Sequence, residues 1–482
     1  MKSFLKLLAL LLSLLILAGC GPAPEETAPP EQTESLSAEP AEKKQKPARL
    51  AVELPQGFDP YNTQSSANRL VLELVTQPLF TVSARGEAVP VLAKGWGVSA
   101  DGMTTTVYLQ SDVSFQDGTP LTASAVVESV ERAREGGFYA GRFRYLTEVT
   151  AAGSGIVIFR TSKAYECFPR LLDIPIVTGG QDKPFGTGPY TWDGSRGLKR
   201  ADTWQAEYPL QDESITFFPV SNSFSLRDGF QYGGIFAAAL DPNAPSALSF
   251  SGDFSLWSVQ TTVLQYVGFN LRSGVFANGG LRSALTYAID RSAIVQEDMQ
   301  GFGVPAVLAA LPGSSHEVTE LKNKVVYDPQ KLKANVISAA EPVILIVSTP
   351  GSQRALTAQR IADALEACGM DVELRALSPE KFRSALQKGE FDLYYAEARL
   401  SPDGDLSPFF TSQLGYGGLS GYDEMLSLCD HARANSGNAY DLHKAILTDG
   451  LLCPVAFKQY ALYVHQDTLQ GVSPKLNGWI LN

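Results

Sequence analysis

The sequence predicts an α/β protein of two domains. Three observations predict it. The part with globular composition runs from about residue 49 to residue 482, too long for a typical single domain and suited to two. Within it, residues 343–347 form a continuous apolar, β-branched run, residues 354–368 carry apolar side chains at helical spacing, and residues 371–377 alternate. Strand, helix and strand in that order make a βαβ unit, whose strands run parallel with a right-handed crossover. Third, strand-like and helix-like segments also alternate in the N-terminal half.

The elements follow in order. Residues 49–54 read as a strand that stops at Pro55. Phe58-Asp59-Pro60-Tyr61-Asn62 is a turn, because Asp-Pro biases the backbone into one. Residues 69–79 have helical apolar spacing, and residues 104–109 read as a strand. Phe115-Gln116-Asp117-Gly118-Thr119-Pro120 is a turn; Thr122 then caps a helix running to Arg134, ended by Gly136-Gly137. Residues 156–160 form another strand, and residues 185–190 a tight turn entering one. In the second half Ile361, Ala364, Leu365 and Cys368 share a helix face, and Gly369 stops that helix. Ser378-Pro379-Glu380 opens a second helix ending near Gly389, and residues 391–396 form a third strand. Ligands of open α/β sheets bind at the carboxyl ends of the strands. Here those ends are residues 348–354 and 397–405.

The first 48 residues have a different character. Lys2 and Lys6 precede an apolar run of 12 residues, 7–18. That run is shorter than the ~20 residues a spanning helix needs, and with small residues after it reads as a secretory signal over residues 1–19. Leu17-Ala18-Gly19-Cys20 resembles the bacterial lipobox, which implies lipidation of Cys20. Residues 20–48 are rich in Pro and Glu, and Leu36 is their only large apolar side chain. Such a segment cannot bury enough surface to offset its ordering entropy, so a disordered tether is expected. Fully extended as polyproline II it reaches ~80 Å. The expected location is the extracellular face of the cell membrane.

Composition narrows the function classes. Formal net charge is −12, and loss of Lys2 and Lys6 with a leader would make it −14. This argues against nucleic acid and against a polybasic membrane patch. Cys167, Cys368, Cys429 and Cys453 contain no Cys-x-x-Cys pair and read as buried free thiols; Cys429 with Cys453 is the pairing to expect if one forms. His316, His431, His443 and His465 show no metal-ligand spacing, and no cofactor motif is present. Nor is there a Gly-x-Ser-x-Gly, a His-Glu-x-x-His or a nucleophile with a paired base.

Several segments, in order, are similar to the family 5 solute-binding proteins of ABC transporters, the peptide and nickel class. They are Leu92-Ala93-Lys94-Gly95-Trp96 with Ser99-Ala100-Asp101-Gly102; the run from Val113 through Phe115-Gln116-Asp117-Gly118-Thr119-Pro120 to Ala123; and Gly186-Thr187-Gly188-Pro189-Tyr190. Asn270, then Arg282-Ser283-Ala284 with Tyr287-Ala288-Ile289-Asp290-Arg291, then Gly301 and Pro305-Ala306, and finally Tyr327-Asp328-Pro329 complete the set. Each is weak alone; their order is specific. Most read as scaffold: Asp290-Arg291 as a helix cap and ion pair, and Gly186-Thr187-Gly188 not as a phosphate loop, since the third glycine is missing. The resemblance implies a two-lobed periplasmic-binding-protein-like α/β fold (type II, the large class with an extra subdomain in lobe one) with the ligand cleft between lobes. Lobe one would be residues 49–265 completed by 460–482, and lobe two residues 266–459. The crossings would fall near residues 265–270 and 455–464. The implied partner is an ABC permease, and the implied state a monomer without cofactor.

The ligand residues expected from this are Gln64 and Asn68 in the loop after the first strand, Tyr139 in an aromatic and arginine-rich segment, Arg354, Arg399, Asp403 and Asp405. Arg354 opens a helix after a strand, where it could pair with a ligand carboxylate; an exposed first-turn arginine is the alternative. Peptide binders of this family often carry a Trp and then Asp-x-x-Asp-Pro near 399–406. Here Arg399 takes the Trp place, Pro402 the first Asp, and Asp405 matches the second, with Asp403 one residue out of register. This departure sets ordinary peptide binding in doubt and suggests an anionic or zwitterionic ligand; a solvated Asp403–Asp405 turn is the other reading. Arg142 and Arg144 read as surface residues. The expected function is capture of a peptide or peptide-like solute for an importer. The alternatives are a metal chelate or an opine-like anion, or a sensory binding role; a secreted hydrolase fits less well.

Overall fold

The computed structural model describes residues 48–139, 141–208, 212–241, 254–272, 274–336, 341–348, 353–411, 423–465, 472–475 and 477–481. The leader, Cys20 and almost all of the Pro/Glu-rich segment lie outside the described residues.

An eleven-stranded mixed sheet joins the two halves of the chain. Two long antiparallel strands at its centre, Phe254–Phe269 and Cys453–His465, belong to both. Both begin before the expected crossings. On one side the sheet continues through Ile235–Leu240, Arg49–Val52 and Ser214–Pro219; on the other through Leu393–Arg399, Val343–Ser348 and Val372–Leu377. The pairing of the central strands shifts between Gln260 and Leu264, where Thr261, Thr262 and Val263 stand opposite Lys458. A bulge bends a strand and raises its twist, so this is where the sheet changes direction.

The βαβ reading holds in detail. Val343–Ser348 lies parallel to both Val372–Leu377 and Leu393–Arg399. Helix Gln353–Ala367 packs Ile361 and Leu365 with Leu345 and Val347 in one core cluster, while Phe382 of helix Pro379–Lys388 and Ile346 belong to another. A strand buried on both faces needs no alternation, which is why residues 343–347 are apolar throughout. Ser378 caps its helix by accepting from the Lys381 N–H, and Gly389, at φ 73°, ends it. In the first half a four-stranded antiparallel sheet carries helix Ala123–Glu135, capped by Thr122 as expected. Val107, Phe115, Val126, Val130 and Phe159 form part of its separate core.

The sequence motifs become scaffold contacts. Gln116 Nε2 lies 2.7–3.1 Å from the carbonyls of Val75, Gly188 and Tyr190, and its Oε1 accepts from the Gly186 N–H. This side chain links the two glycine-bearing motifs to the end of helix Ser66–Val75. A Cβ on Gly186 would come within 2.2 Å of the Val75 carbonyl oxygen, and one on Gly188 within 2.5 Å of that of Leu74; no larger residue fits either place. Asp290 caps as read, accepting from Ala293 N–H. Arg291 makes no ion pair among the described residues: it is buried and donates to the carbonyls of Ala306, Pro454, Thr286 and Ile289. The four cysteines outside the leader are buried free thiols.

Candidate functional site

The helix that follows the first strand starts earlier than its apolar pattern suggests. Ser65 accepts from the Asn68 N–H and opens helix Ser66–Val75. The first turns of this helix therefore face the carboxyl end of Arg49–Val52, where α/β sheets place their ligands. A cavity of about 200 Å³ lies beside it. Arg69, Leu70 and Glu73 of the helix form one wall. Phe138, Tyr139 and Arg142 form a second, together with Asp173. Val259, Thr262, Tyr460 and Leu462 of the central strands form the floor, and Arg399, at the end of Leu393–Arg399, enters from the other half. Gln64, Lys475 and Asn477 lie at the rim. A second cavity of about 280 Å³ shares Ser66, Leu70 and Ala239 with the first, and presents Glu53, Asn222 and Asp241.

The charges in the first cavity sort into two classes. Arg142 pairs with Asp173, and Lys475 with Glu73. Arg69 and Arg399 have no carboxylate partner among the described residues. Both lie on the ring of Phe138, with guanidinium carbons 3.5 and 5.0 Å from its centroid. Arg69 Nη2 donates to the Tyr139 hydroxyl at 3.1 Å, while its Nη1 is buried with no hydrogen-bond partner. Arg399 is open to the cavity, yet the protein packed around it and the guanidiniums of Arg69 and Arg142 hold its pKa below the ordinary arginine value.

Of the seven candidate ligand residues, the structure brings Gln64, Tyr139 and Arg399 to this cavity. The other four sit elsewhere. Asn68 is fully buried: its side chain accepts from Glu53 N–H at 2.8 Å and donates to the Glu53 and Gly57 carbonyls at 3.0 and 2.7 Å. All its hydrogen-bonding capacity goes to holding the loop. Arg354 Nη1 lies 3.7 Å from Glu397. Asp403 and Asp405 are neither solvated nor facing the cavity. Asp403 is buried and accepts a hydrogen bond from the Tyr165 hydroxyl. Asp405 accepts from the Ser407 N–H and hydroxyl at 3.0 and 2.9 Å and pairs with Arg433 at 3.1 Å. Arg142 and Arg144 are also not plain surface residues: Arg142 lines the cavity, and Arg144 donates to the Ser407 hydroxyl and lies 3.7 Å from Asp405.

The residues missed are Arg69 and Lys475. Lys475 carries no local signal. Arg69 had one: Ser65 as an N-cap starts the helix at Ser66, three residues early, and sets Arg69 at the end of its first turn.

The model of the bacterial extracellular solute-binding proteins, family 5 middle region, matches residues 87–419. The glutathione-binding protein GsiB of Escherichia coli K12 is 26% identical over 390 residues, covering 74% of this chain and 76% of GsiB. Among solved structures, the ABC transporter substrate-binding protein CtaP of Listeria monocytogenes superposes with a TM-score of 0.72 at 18% identity, over 90% of this chain and 100% of CtaP. A dipeptide-binding protein of Pseudoalteromonas sp. SM9913, solved with Met-Leu, superposes with a TM-score of 0.64 at 18% identity, over 90% of this chain and 99% of its own. These proteins share the two-lobed α/β fold; they are solute-binding proteins of transport, not enzymes. The chain belongs to the family 5 bacterial extracellular solute-binding proteins.

Proposed function

We propose that this protein is the lipid-anchored extracellular receptor of an ABC importer, and that it works as a monomer, without cofactor or metal, on a peptide-like small solute. Its lobes are residues 49–265 completed by 460–482, and residues 266–459. The separate core clusters of the two halves and the register shift at Gln260–Leu264 support that division. The observation that carries the function is the cavity's make-up. Helix Ser66–Val75 and the Phe138–Tyr139 wall come from lobe one, Arg399 from lobe two. A solute there touches both lobes, so binding favours the closed arrangement, the one that makes both sets of contacts. GsiB, a glutathione-binding protein, and the Met-Leu complex point to peptide-sized solutes.

The test is thermal melting of the protein lacking residues 1–19, with glutathione and with di- and tripeptides. A solute present at 100 times its Kd stabilises by about 2.7 kcal/mol and raises Tm visibly. No shift with any of them would sink the peptide-like reading.

Cys20 supplies the anchor in this proposal, and residues 20–48 the leash that keeps the cleft beside its permease at high effective concentration. No helix among the described residues is long and apolar enough to cross a membrane. Expressed in its own host, the protein should sediment with membranes, and Cys20→Ser should shift it to the soluble fraction. Equal membrane association of both would rule out the anchor.

A further inference from the structure

We infer that the solute's acid end is what this cavity selects: a carboxylate gripped by Arg69 and Arg399 beside the ring of Phe138. The inference rests on the reading of the cavity as the solute site, and adds the chemistry of one end of the solute.

The argument starts from charge pairing. A guanidinium that lines a partly enclosed cavity is ordinarily matched by a carboxylate. Two of the four cations here are matched within the protein, Arg142 by Asp173 and Lys475 by Glu73. The two that are not come from opposite lobes and converge on one aromatic ring. At 3.5 and 5.0 Å from a single centroid, their guanidinium carbons are at most 8.5 Å apart. One carboxylate, or two on a short skeleton, spans that gap. Arg69 Nη1 is buried without an acceptor, and Arg399 is open to the cavity, so donors are in place on both sides. Phe138 lies under both guanidiniums and takes up none of their charge as a carboxylate would.

The same inventory excludes an ammonium at this end. Glu73 and Asp173 are already paired, and Asp403 and Asp405 are buried with Tyr165, Arg144 and Arg433. A cationic group beside Arg69 and Arg399 would meet like charge with no compensating carboxylate. The lobes also gain from this placement. Without an anion, closure brings two guanidiniums together; with one, both attract it, so the acid group is what makes closure favourable.

Four probes of one skeleton test this: trialanine, N-acetyl-trialanine, trialanine amide, and N-succinyl-dialanine with two carboxylates. Binding is measured by calorimetry to the protein lacking residues 1–19. N-acetylation should change affinity less than threefold, and amidation should weaken it at least tenfold. Arg399→Met should weaken the acid probes at least tenfold, leave the amide unchanged and reduce the salt dependence of acid binding; Arg399→Lys should recover part of the loss. Arg69→Met should act likewise. If Arg69→Met does not fold, Arg399→Met decides, since its side chain is open and makes no ion pair among the described residues. An amide that binds as tightly as the acid overturns the carboxylate assignment and leaves the solute-binding reading standing. Silence from all four probes, with no Tm shift from glutathione or any di- or tripeptide, overturns both.

Discussion

Replacing Arg433 by methionine should lower the unfolding free energy by about 3–5 kcal/mol, the range for breaking a buried ion pair from one side. Arg433 and Asp405 are both 1% exposed at their side chains and lie 3.1 Å apart. Methionine fills most of the arginine's volume, so the loss is electrostatic rather than a cavity. It leaves the Asp405 carboxylate buried with only Ser407 and, at 3.7 Å, Arg144. Arg433 also donates to Asp430 at 2.6 Å and to the Tyr145 hydroxyl at 3.3 Å. Asp430, whose burial alone would raise its pKa, is held below the usual carboxylate value by Arg433 and Lys163. Since Tyr145 and Lys163 belong to the first half of the chain and Arg433 and Asp430 to the second, the variant should also loosen the contact between the halves. Chemical denaturation measures the first effect, and an increased radius of gyration in solution scattering the second. Asp405→Asn combined with Arg433→Met should recover more than 1 kcal/mol, because a neutral amide replaces the lone buried charge. A single-variant loss below about 1 kcal/mol would show that the pair is not isolated from water.

That cluster also shows why the candidate site was only partly legible. Residues 343–399 could be read almost element by element. Their signals are local: an unbroken apolar run for a strand covered on both faces, a Ser-Pro helix start, and Gly389 where the backbone must turn left-handed. Asp403-Gly404-Asp405 has equally clear local signals, and they mislead. Short polar residues around a glycine look like a solvated turn. What buries them lies far off: Tyr165 stands 238 residues from Asp403, and Arg433 arrives on a different helix. Tertiary partners of that kind leave no periodicity behind. Arg399 could be singled out because it replaces a familiar aromatic residue within a motif. Arg69 is marked only by the Ser65 cap, and an arginine four residues before Glu73 otherwise looks like an exposed ion pair. Lys475 takes that glutamate instead, and Arg69 is left for the cavity.

The second large effect is expected at the bend of the sheet. Lys458 stands at the register shift of the central strands, its carbonyl accepting from Thr261 at 2.7 Å. Its ammonium is 2.6 Å from Asp241, just after strand Ile235–Leu240, and 3.1 Å from Glu397, on strand Leu393–Arg399. One buried cation therefore holds a carboxylate from each half of the chain where the central strands bend. Burial works against both charges, but Lys458 and Arg354 outweigh it at Glu397 and hold its pKa below the usual value, while Glu397 and Asp241 raise that of Lys458. Lys458→Met should cost about 3 kcal/mol at pH 7, the low end for a buried pair because its partners are a fifth to a quarter exposed. The pH dependence follows from the signs. A carboxylate with a depressed folded pKa stabilises fully above its unfolded value of ~4.3 and loses that stabilisation as pH falls through the folded value. A lysine with a raised folded pKa stabilises fully below ~10.4 and loses it as pH rises through the folded value. Glu397→Gln should therefore be less stable than the parent by a constant amount from about pH 5 to 9, with the gap closing as the pH falls below about 4. The gap for Lys458→Met should close at both ends, in acid as Glu397 and Asp241 are protonated and in alkali as the pH rises past the ordinary lysine value of ~10.4 and through the raised folded one. Denaturation midpoints across that range measure both gaps. A gap in Glu397→Gln that persists to pH 2 would mean that its contribution does not come from its charge.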